Sequence, residues 1–283
     1  MMSTPIGESR GAKRLILRIS YSLLIAIVLI VFLFPIYWMV ITAFKPFEET
    51  KQYPPTFIPQ EPTLENFKGG WDQGGGRGLR DSLIVSVGST IISMVIGIPA
   101  AYSIARYQTG GDHLSFWILS IRMMPAVVPV ISLYLLYQDL KLYDSYQGLI
   151  IIYGMFNIPF VVWIMKGFFE DIPISIEEAA WVDGVSRPRA FIDVVLPLST
   201  PGLMATSLFC FIFSWNEFLF ALVLTIHKVL TFPRVVPFLM KYQEPEWGQI
   251  SAMGLLSIIP IIFVAFILQR YLVRGLTYGA VRG

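Results

Sequence analysis

Five stretches of this chain carry no charged side chain: residues 19–44, 82–105, 145–165, 194–216 and 247–269. A sixth, 114–138, is interrupted only by Arg122. A helix needs about 20 predominantly apolar residues to cross the hydrocarbon core of a bilayer. Each stretch is long enough, so the sequence predicts an all-α integral membrane protein with six transmembrane helices. Their expected ranges are 16–44, 82–105, 114–138, 146–168, 199–226 and 247–269. Pro35, Pro99, Pro125, Pro129, Pro159 and Pro260 fall inside them, and membrane helices tolerate proline where neighbours re-satisfy the freed carbonyls. The first run is too long for a signal-peptide core and has no A-x-A-like site after it, so it reads as a span that stays.

Composition excludes the alternatives. Hydrophobic residues make up 55% of the 283 and charged residues 14%, against about 25% charge in a soluble domain. A formal net charge of +2 does not suggest nucleic acid as a partner. The single cysteine, Cys210, forms no intrachain disulfide, and His113 and His227 stand far apart. That leaves little for metal or histidine-based hydrolytic chemistry. No soluble domain separates from the apolar body, so 1–283 reads as one transmembrane domain.

Orientation follows from Lys and Arg beside the spans. Arg10, Lys13, Arg14 and Arg18 precede the first, and only Lys45 follows closely. Arg270, Arg274 and Arg282 follow the last. Both termini are therefore expected in the cytoplasm. Residues 45–81, 139–144 and 227–246 are then outer loops. Residues 106–113 form a short inner loop and 166–193 the one long inner loop.

The long inner loop is the most informative segment. Residues 170–197 read EDIPISIEEAAWVDGVSRPRAFIDVVLP. Ser175 followed by Glu178 is a capping-box pattern. Glu177 and Glu178 in a first turn complement the helix dipole, and Gly184 suits the C-terminal cap. A short helix over 176–183 is expected, with Ile176, Ala179, Ala180 and Asp183 on one face. A second should cover 187–195, capped by Ser186 and stopped by Pro197. Together they predict a helix–turn–helix shelf.

Glu178-Ala179-Ala180, Asp183-Gly184 and Leu196-Pro197 resemble the EAA motif of ABC importer permeases. Val194 stands where that pattern has isoleucine, and Val185 replaces a common small residue. Ser214-Trp215-Asn216-Glu217-Phe218, Arg122-Met123 with Pro125, and the tail Gln269-Arg270 with Gly275-Leu276-Thr277 and Gly279–Gly283 are similar to segments of the carbohydrate importers. They most resemble the maltose-type second permease. The resemblance implies a subunit of the bacterial inner membrane that carries a sugar or sugar-like solute. Its implied partners are a second, homologous permease, two copies of a cytoplasmic ATPase and an extracytoplasmic solute-binding protein. Glu177, Glu178, Ala179, Ala180, Asp183, Gly184, Leu196 and Pro197 would then couple to the ATPase.

The chain contains no G-x-x-x-x-G-K-[ST] phosphate loop, so ATP and Mg belong to the partner ATPase and no cofactor is expected here. It is not read as an enzyme. Gly74-Gly75-Gly76 reads as a linker. Ionisable or polar groups inside spans mark a path or a helix contact. Arg122, Asn157, Trp215, Asn216 and Glu217 are the path candidates, and each is equally readable as a helix-to-helix bond. In straight helices, Arg122 lies about 12 Å and Glu217 about 27 Å from the inner ends of their spans, which argues against an ion pair. A stand-alone transporter driven by an ion gradient remains the alternative. Such proteins often carry paired repeats, and none is evident.

Overall fold

The computed structural model describes residues 8–240 and 244–279, and side chains within 17–269 apart from 112 and 241–243. In chain order its principal elements are α1 (Glu8–Ala43), α2 (Gly76–Tyr107), α3 (Gly111–Met123), α4 (Val130–Asp139), α5 (Tyr146–Glu170), α6 (Ile174–Val182), α7 (Arg187–Leu198), α8 (Thr200–Trp215), α9 (Leu219–Leu224), α10 (Phe232–Leu239) and α11 (Trp247–Gly279). Four helical stretches, Leu17–Ala43, Glu65–Tyr107, Tyr146–Glu170 and Trp247–Gln269, are long and apolar enough to cross a membrane as single spans.

The third and fifth expected spans are not single helices. Met124, ahead of Pro125, takes φ −70° and ψ 129°, the extended backbone that a following proline ring imposes. Helix resumes only at Val130, after Pro129. The expected helix over 114–138 is thus α3 and α4 with an irregular turn between them. Likewise the helix expected over 199–226 ends at Trp215 and restarts at Leu219. The last helix runs on past 269 to Gly279. The side chains of Arg10, Lys13, Arg14, Arg270, Arg274 and Arg282, which carry the orientation argument, lie outside the described residues. So do tail residues 280–283.

α2 and α5 pack along much of their length. α2 presents Ser82, Ser86, Ser89, Ser93, Gly97 and Ala101 to the interior, all buried. Small residues let membrane helices approach closely where apolar burial gives no drive. At Gly97 a Cβ would lie 2.6 Å from Val161 Cγ1, so α5 crosses there with no room for a side chain. Ser145 caps α5 by accepting from Gly148 N–H at 3.0 Å, which is the reason the helix starts where it does. α8 lies against α2, α5 and α11, and α1 lies against α11. From Leu17 to Tyr37 the large apolar side chains of α1 are exposed, as expected of a helix surrounded by lipid or by another membrane chain.

Two carboxylates tie residues 226–230 to the bundle. Buried Asp81 accepts from Arg80, from Tyr146 Oη at 2.8 Å and from Leu230 N–H at 3.0 Å. Asp144 accepts backbone N–H bonds from Ile226, His227, Lys228 and Val229. Partial desolvation raises its carboxyl, but the four donors outweigh that and hold it below the ordinary carboxylate value.

Candidate functional site

At one end of the bundle α6 and α7 form a two-helix shelf, and α7 turns through 77° into α8. Contrary to expectation, Ser186 makes no side-chain cap bond, and the helix runs through Pro197 to Leu198. A proline near the start of a new turn lacks only an N–H that has no partner there. The start of α6 differs from expectation. The helix begins at Ile174 after Pro173, so Ser175 is inside it and does not cap it. Pro173 holds φ at −57°, which already sets up the first turn. The end matches the glycine cap. Gly184 has φ +86°, its N–H donates to Trp181 O at 3.0 Å, and Val185 N–H donates to Ala180 O at 3.0 Å. This pair of bonds is the Schellman arrangement, which needs a left-handed residue at that point. Arg187 lies over the Trp181 ring at 5.0 Å and joins the two helices.

Glu178, Ala179, Asp183, Gly184 and Pro197 are exposed, and Ala180 and Leu196 are half-buried. Glu177 is the exception. It is fully buried, so its carboxylate is not open to a basic residue of a partner. Arg106 Nε donates to its Oε1 and Tyr102 Oη to its Oε2, both at 2.5 Å. Spacing along α6 could not show this, because the partners lie about 70 residues earlier, at the end of α2.

Deeper in the bundle, both helix breaks face one cavity of 320 Å³. Arg122, Asn157 and Glu217 line it together, with Tyr153, Phe156 and Phe213 among the aromatic walls. Irregular backbone at membrane depth is tolerated where it lines a cavity or is buried in protein, and here two broken helices share one. The offset expected between Arg122 and Glu217 assumed unbroken helices, yet both border the same space. No ion pair joins them, since each has other partners. Arg122 Nη1 donates to Phe156 O at 2.9 Å and the guanidinium lies 4.3 Å from the centre of the Phe213 ring. The Glu217 carboxylate accepts Phe220 N–H at 3.1 Å and Ala221 N–H at 3.3 Å, capping α9.

Trp215 and Asn216 do not line this cavity. Trp215 is 2% exposed and stacks between Phe211, at 5.7 Å, and Phe232, at 6.3 Å. It is a core side chain here, closed to a sugar face. Asn216 is exposed and ends α8, its amide donating to Ile212 O at 2.9 Å. Ser214-Trp215-Asn216-Glu217 thus builds the helix break: one hydroxyl bonded across helices, one wedge in the core, one end cap and one start cap. Sequence reasoning missed Asp81, Asp144 and Arg106, whose tertiary partners Tyr146, Leu230, residues 226–229 and Glu177 are all distant along the chain. It also missed Val182, 87% exposed on the shelf, although an apolar residue in a charged loop was a readable signal.

A helical bundle with two broken spans bordering one cavity, and a two-helix shelf at one end, has the form of a membrane permease. The chain belongs to the binding-protein-dependent transport system inner membrane component family, which it matches over residues 93–278. It is an inner-membrane transport subunit and not an enzyme. ATP hydrolysis in such transporters resides in separate subunits. A probable ABC transporter permease protein of Sinorhizobium fredii is 37% identical, over 99% of this chain and 100% of its own. The diacetylchitobiose uptake system permease protein of Streptomyces coelicolor is 36% identical, over 88% and 92%. The trehalose transport system permease protein of Mycobacterium tuberculosis is 35% identical, over 89% and 93%. Among solved structures, a chain of a bacterial ABC transporter involved in the import of the acidic polysaccharide alginate has the same fold. Its TM-score is 0.74 at 22% identity, covering 95% of this chain and 99% of that one.

Proposed function

We propose that this chain is one half of the membrane pore of an ATP-driven sugar importer. It acts as a single permease domain that passes six times through the membrane, the third and fifth passes broken, with both termini in the cytoplasm. The shelf α6–α7 is the EAA coupling loop. A cytoplasmic ATPase seats on Glu178, Ala179, Ala180, Asp183 and Gly184, with Leu196 and Pro197 fixing the turn into α8. Glu177 contributes from behind, by holding α6. The cavity at Arg122, Asn157 and Glu217 is a stage of the solute path, with Trp215 and Asn216 supporting its wall. A second, homologous permease completes the pore, two ATPase copies bind ATP and Mg, and an extracytoplasmic binding protein delivers solute. No cofactor is assigned to this chain.

The observation that carries this reading is the construction of α6. Its inward side is bolted to α2 while Glu178, Ala179 and Val182 stand uncovered. Three large apolar side chains of this nine-residue helix, Ile174, Ile176 and Val182, are exposed, which fits a surface made to be covered. A sugar or sugar-like solute is supported by the relatives named for trehalose and diacetylchitobiose uptake. Isolation in mild detergent should recover an ATPase and a second permease with this chain. A ligand screen on the co-assembling binding protein should return a saccharide. A purified single chain that takes up solute on a sodium or proton gradient would overturn the proposal in favour of a stand-alone transporter.

A further inference from the structure

The Arg106–Glu177 ion pair is built differently from the other ion pairs among the described residues. Its side chains are 8% and 0% exposed, whereas every other pair has at least one partner exposed by a quarter or more. Both Glu177 oxygens are taken, one by Arg106 and the other by Tyr102. Those two donors are four residues apart, on one face of the last turns of α2. Arg106 also donates through Nη2 to Ile172 O at 2.8 Å, gripping the chain just ahead of α6. The Tyr102 ring packs on Phe169 at 5.7 Å and on Phe191 at 4.4 Å, so the end of α5 and the start of the α7 segment close around the same point.

α2 is suited to carry motion away from that point. Its 32 residues are helical throughout despite Pro99, a length of about 48 Å. Along it, Ser89 Oγ bonds Ser214 Oγ at 2.8 Å, beside the break that borders the cavity. At its far end Asp81 holds Leu230 N–H and Ser82 Oγ holds Phe232 N–H at 2.7 Å. The α3–α4 and α8–α9 segments break midway and cannot push along one axis. An ion pair in a low-dielectric site resists opening, because separation leaves a buried unpaired charge.

We propose that Arg106, Tyr102 and Glu177 form the joint through which displacement of the shelf is passed to α2, and through α2 to the cavity wall and the 226–232 segment. They act as positioning residues for energy coupling. The proposal rests on the reading of α6 as the ATPase dock. Its new content is that the shelf drives a helix distant in sequence, through one buried ion pair.

The test uses the complete transporter in proteoliposomes with its binding protein, measuring solute imported per ATP hydrolysed. E177Q should leave the ATPase bound, since the exposed dock is untouched, and lower solute per ATP at least five-fold. Y102F, which keeps the ring packing and loses one donor, should lower it about two-fold. A purely structural defect would reduce uptake and hydrolysis in proportion and leave the ratio unchanged. Parental ratios in assembled E177Q overturn the joint. If E177Q does not assemble, Y102F decides on the same ratio: a lowered value supports the joint and a parental one overturns it. G184D separates the two layers. Release of the ATPase by G184D together with parental ratios in E177Q and Y102F sinks the joint and keeps the dock. Parental ATPase binding and uptake in both G184D and E178K sinks the dock and the joint with it.

Discussion

The Asn157 amide donates to the Ser214 hydroxyl at 2.9 Å, and this bond pins α5 to the last turn of α8 just below the break in the fifth expected span. The same nitrogen donates to Cys210 O at 3.2 Å. N157L keeps roughly the volume and removes both donors. Hydrogen bonds between membrane helices contribute on average about 0.6 kcal/mol each, with a maximum near 1.7. The variant should therefore lose about 1–2 kcal/mol, read as a lower midpoint of thermal unfolding in detergent. An unchanged midpoint would show that the amide does not hold the break.

Glu217 caps α9 with its carboxylate while bordering the cavity. Losing a helix cap costs about 1 kcal/mol. E217Q keeps one acceptor oxygen and E217A keeps none. Uptake by the assembled transporter should fall modestly in E217Q and several-fold in E217A. Equal and severe losses in both would mean that the negative charge itself is needed in the cavity, and would assign Glu217 to the solute and not to the cap.

Gly184 ends α6 at a positive φ, and a Cβ there would have nothing within 4 Å. The cost of a side chain is therefore in the backbone, about 1–2 kcal/mol for an ordinary L residue, and less for Asn, which tolerates this region. If the Schellman turn sets the dock, G184A should weaken ATPase binding by about ten-fold and G184N by less. A pull-down titration of ATPase against the permease gives the ranking, and G184N no better than G184A would count against it.

Asp144 ties residues 226–229 and its folded-state pKa is depressed. The stability it contributes is present above the unfolded value, about 3.9, and is lost as pH falls below that value and through the lower folded one. Proteolytic access to the 226–232 segment should stay flat from pH 7 to pH 5 and rise only below about pH 4. Asp144 has φ +52°, which Asn also tolerates; D144N, which halves the acceptors, should show greater access at pH 7 and a weaker acid step. An acid step of parental size in D144N would assign it to another group.

The expected shelf was legible because its signals are local. Gly184 must take the left-handed conformation that ends α6, and the E-A-A spacing places its face without reference to the rest of the chain. The broken spans were legible only in part. Pro125 and Pro129 were visible, but proline is tolerated in many membrane helices, and only the neighbours decide whether the helix bends or stops. Trp215 could not be placed from the sequence, because its environment, Phe211 and Phe232, is assembled from two elements. The burial of Glu177, unlike Glu178 beside it, was not legible, because an α-helix of nine residues does not say which side the bundle occupies.

Charge-free length alone determined that this chain lives in a membrane, since only apolar helices satisfy their backbone in lipid. Local spacing determined the shelf and its glycine turn. Tertiary structure decided which polar groups meet: Arg106 with Glu177, Ser89 and Asn157 with Ser214, Asp81 with Leu230. These contacts span tens to more than a hundred residues of chain, and in a nonpolar interior each polar group takes whatever partner the packing brings within reach, a choice that no local pattern encodes.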